Sequence, residues 1–295
     1  MLDKCISSRY SQFTMNRLPV EKRAAILGLL VEGNSLRATS RLADVSINTV
    51  TKLLVGLGEA CAEYHDLNVR NVRSQRVQCD EIWCFVGAKA KNVTPEKQAQ
   101  GWGDTWTWTA LDADSKLCLS YRIGGRDGAI AFEFMQDLAS RLANRVQLTT
   151  DGHRVYLNAV EDAFGSDIDY AMLVKIYGAD SANDSRYSPA ECIDCKPIAI
   201  TGRPDPKHIS TSFVERQNLT MRMGMRRFTR LTNGFSKKVA NHAAMVAIHF
   251  THYNFARIHK TLRVTPAMAA GLCDHVWSLE EIVRLFDQKA SEYMA

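Results

Sequence analysis

Long apolar runs are missing from this sequence. Its hydrophobic fraction is 46% and its charged fraction 23%, as in an ordinary folded protein, and no stretch approaches the ~18 consecutive apolar residues of a membrane helix. The opening residues, MLDKCISSRYSQFTMNRLP, also lack the apolar centre of a signal peptide. We therefore expect a cytoplasmic protein with no membrane partner, in which the eight cysteines are reduced thiols.

A second closely spaced cysteine pair is missing as well. Cys192 and Cys195 form one C-x-x-C pair, with His208 downstream. Because a structural zinc site needs four ligands, half of such a site is present and the other half is not. We therefore expect solvent-exposed thiols here rather than a structural zinc ion.

Acidic residues are almost absent from the segment 207–263. It contains eleven Lys or Arg and one acid, Glu215, so its net charge is +10 while that of the whole chain is +5. A solvated helix face, which is the alternative, usually mixes both signs, whereas concentrated positive charge is typical of phosphate binding. We therefore expect nucleic-acid contacts in this segment. The candidates are Arg222, Arg226, Arg227, Lys237, Lys238 and Lys260.

The chain is long enough for about two domains, and its N-terminal part predicts three helices after an extension, 1–16. Ser35 and Ser46 are placed to cap the second and third of these helices. A short helix, a tight connection and a second capped helix are typical of a helix-turn-helix module. We therefore predict an all-α DNA-binding domain at 17–66. The alternative is a three-helix bundle that packs against another part of the protein.

The second helix of a helix-turn-helix module places its first residues against base edges. The residues in that position here are polar, and the short helix before them carries two arginines. The predicted DNA contacts are Asn48, Thr49 and Lys52 for the bases, and Arg37 and Arg41 for the phosphates.

From residue 77 onward the pattern is that of an α/β domain, predicted to span 77–295. After a polar and basic linker, 67–76, β-rich segments alternate with helical ones in the order β-β-β-α-β-α-β, and helices follow. This order predicts a mixed sheet flanked by helices on both faces. The weakly periodic stretch 178–212 is predicted to be an irregular insertion loop, and basic helices follow it.

Three acidic residues stand out by their positions in this domain. Asp80 lies within the first predicted strand, Asp151 ends a later strand, and Glu215 begins the basic helix. An ionised carboxylate in a β-rich core segment is costly unless a cation neutralises it, and carboxylate oxygens are the ligands that Mg²⁺ prefers. Taken singly, each acid is more simply an ordinary polar residue or a helix cap. Glu81 is predicted to face the opposite side of the strand from Asp80, so we do not count it as a ligand.

Each of the three acids lies in a short motif. The segments QCDEIW (78–83), TTDGH (149–153) and SFVERQNLTMRM (212–223) resemble the catalytic motifs of DDE transposases, most closely those of the IS1 family of insertion sequences. The segment YNFARIHKTLRVTPAMAAG (253–271) resembles the C-terminal signature of the same enzymes. With the N-terminal helices, the resemblance covers nearly the whole chain from about residue 17 to 285.

The resemblance implies a ribonuclease-H-like fold and an enzyme that cuts DNA at the inverted-repeat ends of a mobile element and joins those ends to target DNA. It implies that Asp80, Asp151 and Glu215 are ligands of two Mg²⁺ or Mn²⁺ ions. It also implies that Arg222 contacts a phosphate at the element's end and that His153 touches DNA. We expect a prokaryotic, nucleoid-associated dimer or larger assembly on double-stranded DNA.

The spacing of the acids departs from the family pattern. The interval between Asp151 and Glu215 is longer than in many DDE enzymes, and the predicted loop 178–212 accounts for the excess. Two alternatives stay open: a DNA-binding regulator derived from a transposase, without catalysis, and a nuclease of the same fold that cuts without joining. The intact set of three acids favours an enzyme over the regulator.

Overall fold

The computed structural model describes residues 17–178, 192–229 and 232–292. The predicted N-terminal extension, 1–16, lies outside the described residues, as does 179–191, a part of the predicted insertion loop. The described chain contains a six-stranded mixed sheet with helices on both faces. The α/β class predicted from the order of strands and helices is therefore confirmed.

The first three helices begin where the sequence predicts them. They are α1 (Val20–Val31), α2 (Leu36–Leu42) and α3 (Ile47–Asn68). Ser35 Oγ accepts a hydrogen bond from the amide of Ala38, and Ser46 Oγ accepts one from the amide of Thr49. Both predicted caps are therefore formed, and each satisfies an amide that the first turn of a helix leaves without a partner.

The strands form one open sheet. They are β1 (Arg76–Val86), β2 (Gly103–Asp112), β3 (Cys118–Gly124), β4 (Gln147–Asp151), β5 (Asp169–Tyr177) and β6 (Cys192–Thr201). Their order across the sheet is β3-β2-β1-β4-β5-β6. The central pairs β1–β4 and β4–β5 are parallel, whereas β1–β2, β2–β3 and β5–β6 are antiparallel.

Further helices lie between and after the strands. They are α4 (Pro95–Gln98), α5 (Gly128–Arg141), α6 (Val155–Phe164), α7 (Ser212–Gly224), α8 (Val239–Thr251), α9 (Pro266–Ala269) and α10 (Leu279–Glu292). Short 3₁₀ turns occur at Ala90–Asn92, Pro206–His208 and Arg226–Phe228, and a π-helical turn, His252–Ala256, extends α8.

Residues of β1 alternate between two hydrophobic cores. Val77 and Cys79 pack on one face of the sheet with residues of α5 and α6. Ile82 and Cys84 pack on the other face with residues of α1, α3, α7, α8 and α10. The helices that were predicted to form a separate domain therefore share a core with the sheet.

The contact between α3 and α8 is very close. A Cβ atom added at Gly58 would lie 2.4 Å from the Cα of Ala244. The stretch predicted to be a linker, 67–76, is also packed: Val69 and Val72 are buried, and the Val72 amide donates to the Arg141 carbonyl at 2.8 Å. The three N-terminal helices thus pack against the rest of the chain, as the alternative to a free-standing module requires.

The prediction of an irregular loop over 178–212 is wrong for Cys192–Thr201. β6 lies there and pairs antiparallel with β5 at the edge of the sheet. All residues of β6 except the last are exposed. The strand therefore has no buried face that would impose a regular alternation of apolar and polar residues on the sequence. Pro197, which cannot donate to a ladder, is tolerated because β6 is an edge strand.

Replacing Gly58 with Ala tests the packing of the N-terminal helices. The added methyl group has no room against the α8 backbone. The free energy of unfolding of the variant should therefore be about 1–3 kcal/mol lower than that of the wild type. The matched control is Gly128→Ala in α5, where an added Cβ meets no atom within 4 Å. Urea denaturation followed by circular dichroism measures both variants, and equal stability of the two would contradict the packing described here.

Candidate functional site

A cavity of about 780 Å³ opens where β4 ends beside β1. The two strands pair in parallel from Arg76 and Gln147 to Cys79 and Thr150. β1 then continues while β4 stops at Asp151, so the edge of β1 is left open from this point. The cavity is lined by four acidic side chains and five basic or imidazole ones: Asp80, Glu81, Asp151, Glu215, Arg126, His153, Arg154, Lys175 and Arg222.

Three of these acids form one group. Single carboxylate oxygens of Asp80, Glu81 and Asp151 all lie within 4.8 Å of one another. Asp80 and Glu81 do leave opposite faces of β1, as predicted: Asp80 Oδ2 accepts from Asn218 in α7, while Glu81 Oε2 accepts from Arg126. Glu81 nevertheless lies beside Asp80 in the cavity, because beyond the end of β4 both faces of β1 have access to the same space.

Burial and mutual repulsion both act on this group. Removal from water, followed by the charge of Asp151, raises the pKa of Asp80 to about 7. The same two causes, in the same order, raise the pKa of Glu81 to about 7. The group is therefore short of positive charge, and an all-oxygen donor set of this kind fits a hard divalent cation such as Mg²⁺.

Two basic side chains partly neutralise the acids. Arg126 Nε lies 3.1 Å from Glu81 Oε2, and its Nη2 lies 3.3 Å from Asp151 Oδ2. Lys175 on β5 forms a salt bridge with Glu215 at 2.5 Å. Neither residue could be selected from the sequence, because neither Arg126 nor Lys175 lies in a motif or in the basic segment.

Glu215 lines the same cavity but lies outside the group of three acids. It is in the first turn of α7, where its Oε1 accepts from Lys175 and from the Thr211 hydroxyl. Gln78 positions this helix: its Oε1 accepts from the amides of Phe213 and Val214 at 2.9 and 3.2 Å. A residue on β1 two positions before Asp80 therefore fixes the start of α7 beside the acids.

His153 and Arg222 lie at the cavity, as their motifs lead one to expect. The amide of His153 donates to Asp151 Oδ1 at 3.0 Å, which orients that carboxylate. Burial, followed by the charge of Arg126, lowers the pKa of His153 and so favours its neutral ring. Arg222 is on α7 two turns after Glu215 and is half-buried.

A second cavity, of about 650 Å³, brings the N-terminal helices to the basic segment. Arg37 of α2 and Ile47 at the start of α3 line one side of it. Arg226, Arg227 and Lys237 line the other. Two groups of predicted DNA contacts, which are far apart in sequence, therefore share this cavity.

The remaining predicted DNA contacts lie outside both cavities. Thr49 is half-buried, and its hydroxyl is hydrogen-bonded to that of Ser46. The others are exposed at the surface: Arg41, Asn48, Lys52, Lys238 and Lys260.

Arg227 differs from the other basic residues of the second cavity. Its Nη1 donates to Ser236 Oγ at 2.9 Å and to the Asn241 carbonyl at 2.8 Å. Burial lowers the pKa of Arg227 to about 10. The guanidinium therefore holds the loop before α8 in place, and this geometry does not favour its predicted role in contacting DNA.

The two exposed cysteines of β6 agree with the expectation of accessible thiols. Cys192 Sγ and Cys195 Sγ lie 3.7 Å apart. The ring of His208 contacts Arg76: its Nδ1 lies 2.7 Å from Arg76 Nη1.

Comparison of the chain with protein-family models and with curated proteins finds no match. No helix in the described part of the chain has both the length and the apolarity needed to cross a membrane.

Replacing Arg227 with Gln tests its structural assignment. Two part-buried hydrogen-bond acceptors lose a charged donor, so the free energy of unfolding should fall by about 1–3 kcal/mol. Its exposed neighbour supplies the matched control, because Arg226→Gln should change stability by no more than about 0.5 kcal/mol. Thermal unfolding measures both, and a stable Arg227→Gln protein would show that these hydrogen bonds contribute little.

Proposed function

We propose that this chain is a DDE-type DNA transposase, which cuts DNA at the inverted-repeat ends of a mobile element and joins them to target DNA. The observation that carries the proposal is the meeting of Asp80, Asp151 and Glu215 in one cavity. Two strands and a helix supply these acids from three distant motifs. Carboxylates that are simply distributed over a protein surface are not expected to gather in one cavity in this way.

The sheet supports the proposal at the level of the fold. Its first five strands have the order β3-β2-β1-β4-β5, with β1, β4 and β5 parallel and β2 antiparallel. This arrangement is compatible with a ribonuclease-H-like fold, to which β6 adds an edge strand. We propose that Asp80 and Asp151 occupy the central positions at which such a sheet holds its acidic site.

The donor set supports metal-dependent chemistry. Asp80, Asp151 and Glu215 would hold Mg²⁺ or Mn²⁺, and two such ions activate the attacking oxygen and stabilise the leaving oxygen of a phosphodiester. Lys175 and Thr211 both contact Oε1 of Glu215, so its second carboxylate oxygen, Oε2, is the one that would serve as a ligand without loss of the salt bridge.

The chain's own side chains hold and orient the DNA around these acids. Arg222 and the ring of His153 lie at the cavity, where they can contact the phosphates on either side of the cut. Trp108 and Tyr156 are buried beneath His153 and keep water away from that side of the site. No side-chain nucleophile is needed, because an oxygen of water or of a DNA end makes the attack.

The helices α2 and α3 are proposed to act as a helix-turn-helix module. Asn48 and Lys52 are exposed at the start of α3, where such a module meets base edges. Beside them, Arg37, Arg226 and Lys237 surround the second cavity and supply charge for the phosphates. Since two element ends must be joined in one reaction, we propose that the protein acts as a dimer or larger assembly.

A strand-transfer assay tests the catalytic assignment. Purified protein is incubated with Mg²⁺, DNA that carries the element's own ends, and a target plasmid. Asp80→Asn and Asp151→Asn should each lose at least a hundredfold in cleavage and joining, since removal of even an indirect metal contact costs roughly 10–100-fold, while both should still bind the ends. Chelation by EDTA should abolish the wild-type activity.

The control for this assay is Asp167→Asn, which changes an exposed acid outside the cavity. Cleavage by Asp80→Asn at the wild-type rate would contradict the catalytic assignment. Cleavage without joining by the wild type would indicate the nuclease instead. Binding without cleavage, in Mg²⁺ and in Mn²⁺, would indicate the catalytically silent regulator.

DNA affinity measured against salt concentration tests the second cavity. Each phosphate contact contributes about 0.9 to the slope of log K against log salt. Arg37→Gln, Arg226→Gln and Lys237→Gln should each reduce the slope by about that amount and weaken binding to all sequences alike. The control is Lys91→Gln, an exposed lysine beyond the end of β1; if its effect equals theirs, the cavity has no special part in binding.

A further inference from the structure

Glu81 has a buried carboxylate oxygen with no hydrogen-bond partner among the described residues. Its side chain is 1% exposed, and Oε1 accepts no hydrogen bond. The Tyr156 hydroxyl acts on the carboxylate of Glu81 and lowers its pKa, yet this hydroxyl and Glu81 Oε1 are both buried without a geometrically formed hydrogen bond. Leaving a buried, charged acceptor without a partner is costly, so this oxygen calls for a positively charged ligand.

The position of that oxygen supports the same conclusion. Glu81 lines the cavity and belongs to the group whose oxygens lie within 4.8 Å of those of Asp80 and Asp151. The group draws on both faces of β1, because Asp80 reaches it from the side of α7 and Glu81 from the side of α6. The carboxylates of Asp80, Glu81 and Asp151 therefore lie close together, although they come from the two faces of β1 and from the end of β4.

A purely structural role for Glu81 explains less of this geometry. Its other oxygen, Oε2, is paired with Arg126, but that arginine is 40% exposed and also contacts Asp151. Because Arg126 is shared with Asp151 and partly exposed to solvent, it neutralises the carboxylate of Glu81 only in part. Arg126 thus contacts the same two carboxylates that a divalent cation would draw together.

We propose that Glu81 is a direct ligand of the divalent cation held by Asp80 and Asp151, and that Arg126 competes with the cation for Glu81 and Asp151. This inference rests on the proposed metal-dependent function and adds a fourth carboxylate to the site. When the cation binds, Arg126 is displaced from both carboxylates, and its guanidinium becomes available to a DNA phosphate.

Binding of Mn²⁺ to the full chain without DNA tests the proposal. The loss of the free-ion signal in electron paramagnetic resonance reports binding, so no enzymatic activity is needed. Glu81→Gln, which keeps the shape of the side chain, should weaken the tightest Mn²⁺ site by tenfold or more. Glu161→Gln, an exposed acid on α6, is the matched control and should bind Mn²⁺ like the wild type.

Arg126→Gln gives an independent measurement. If Arg126 and the cation compete, this variant should bind Mn²⁺ severalfold more tightly than the wild type. Adding Glu81→Gln to Arg126→Gln should then remove tenfold or more of that affinity, which separates the loss of a ligand from a change in the pairing of Arg126. Should Glu81→Gln fail to fold, the single Arg126→Gln variant decides: unchanged or weaker binding overturns the proposal.

Asp80→Asn distinguishes the two levels of inference. If Asp80→Asn loses Mn²⁺ binding while Glu81→Gln retains it, the metal site stands and the role of Glu81 is overturned. If Asp80→Asn and Glu81→Gln both bind Mn²⁺ like the wild type, the proposed metal-dependent function fails together with the role of Glu81.

Discussion

The structure around the site depends on one electrostatic constraint: three carboxylates meet where β4 ends, in a place largely removed from water. Burial and repulsion raise the pKa of Asp80 and of Glu81, so the group must be held by neighbours that compensate. The amide of His153, the amide group of Asn218 and the guanidinium of Arg126 do this for Asp151, Asp80 and Glu81. The strands and helices that carry these groups must therefore be positioned so that each group reaches its carboxylate.

Much of the fold could be predicted because local chemistry and burial agree. The caps at Ser35 and Ser46 are set by neighbouring residues, and the central strands are covered on both faces. β6 could not be predicted, since an edge strand exposed to solvent carries no burial pattern and its pairing with β5 is a backbone interaction. The packing of α3 on α8 depends on Gly58, whose significance lies in the partner helix and not in its own neighbourhood.

Within the site, residue type and motif were enough to select Asp80, Asp151 and Glu215. The place of Glu81 in the cavity could not be predicted, because alternation along a strand says which face a side chain leaves, but not where a neighbouring strand stops. Lys175 and Gln78 act through contacts between elements far apart in sequence. Charge counting treats all arginines of the basic segment alike, so it could not predict that Arg227 donates hydrogen bonds to Ser236 and Asn241.

The end of α7 touches the turn before α2: a Cβ atom added at Gly33 would lie 3.2 Å from the Met223 carbonyl oxygen. α7 has 13 residues, about 20 Å of helix, and begins at the acids. At about 3.4 Å per base pair, that length corresponds to roughly six base pairs. Under the proposed function, the length of this helix sets the distance between the recognised sequence and the cut. A rigid helix, and not a flexible linker, would then fix that distance.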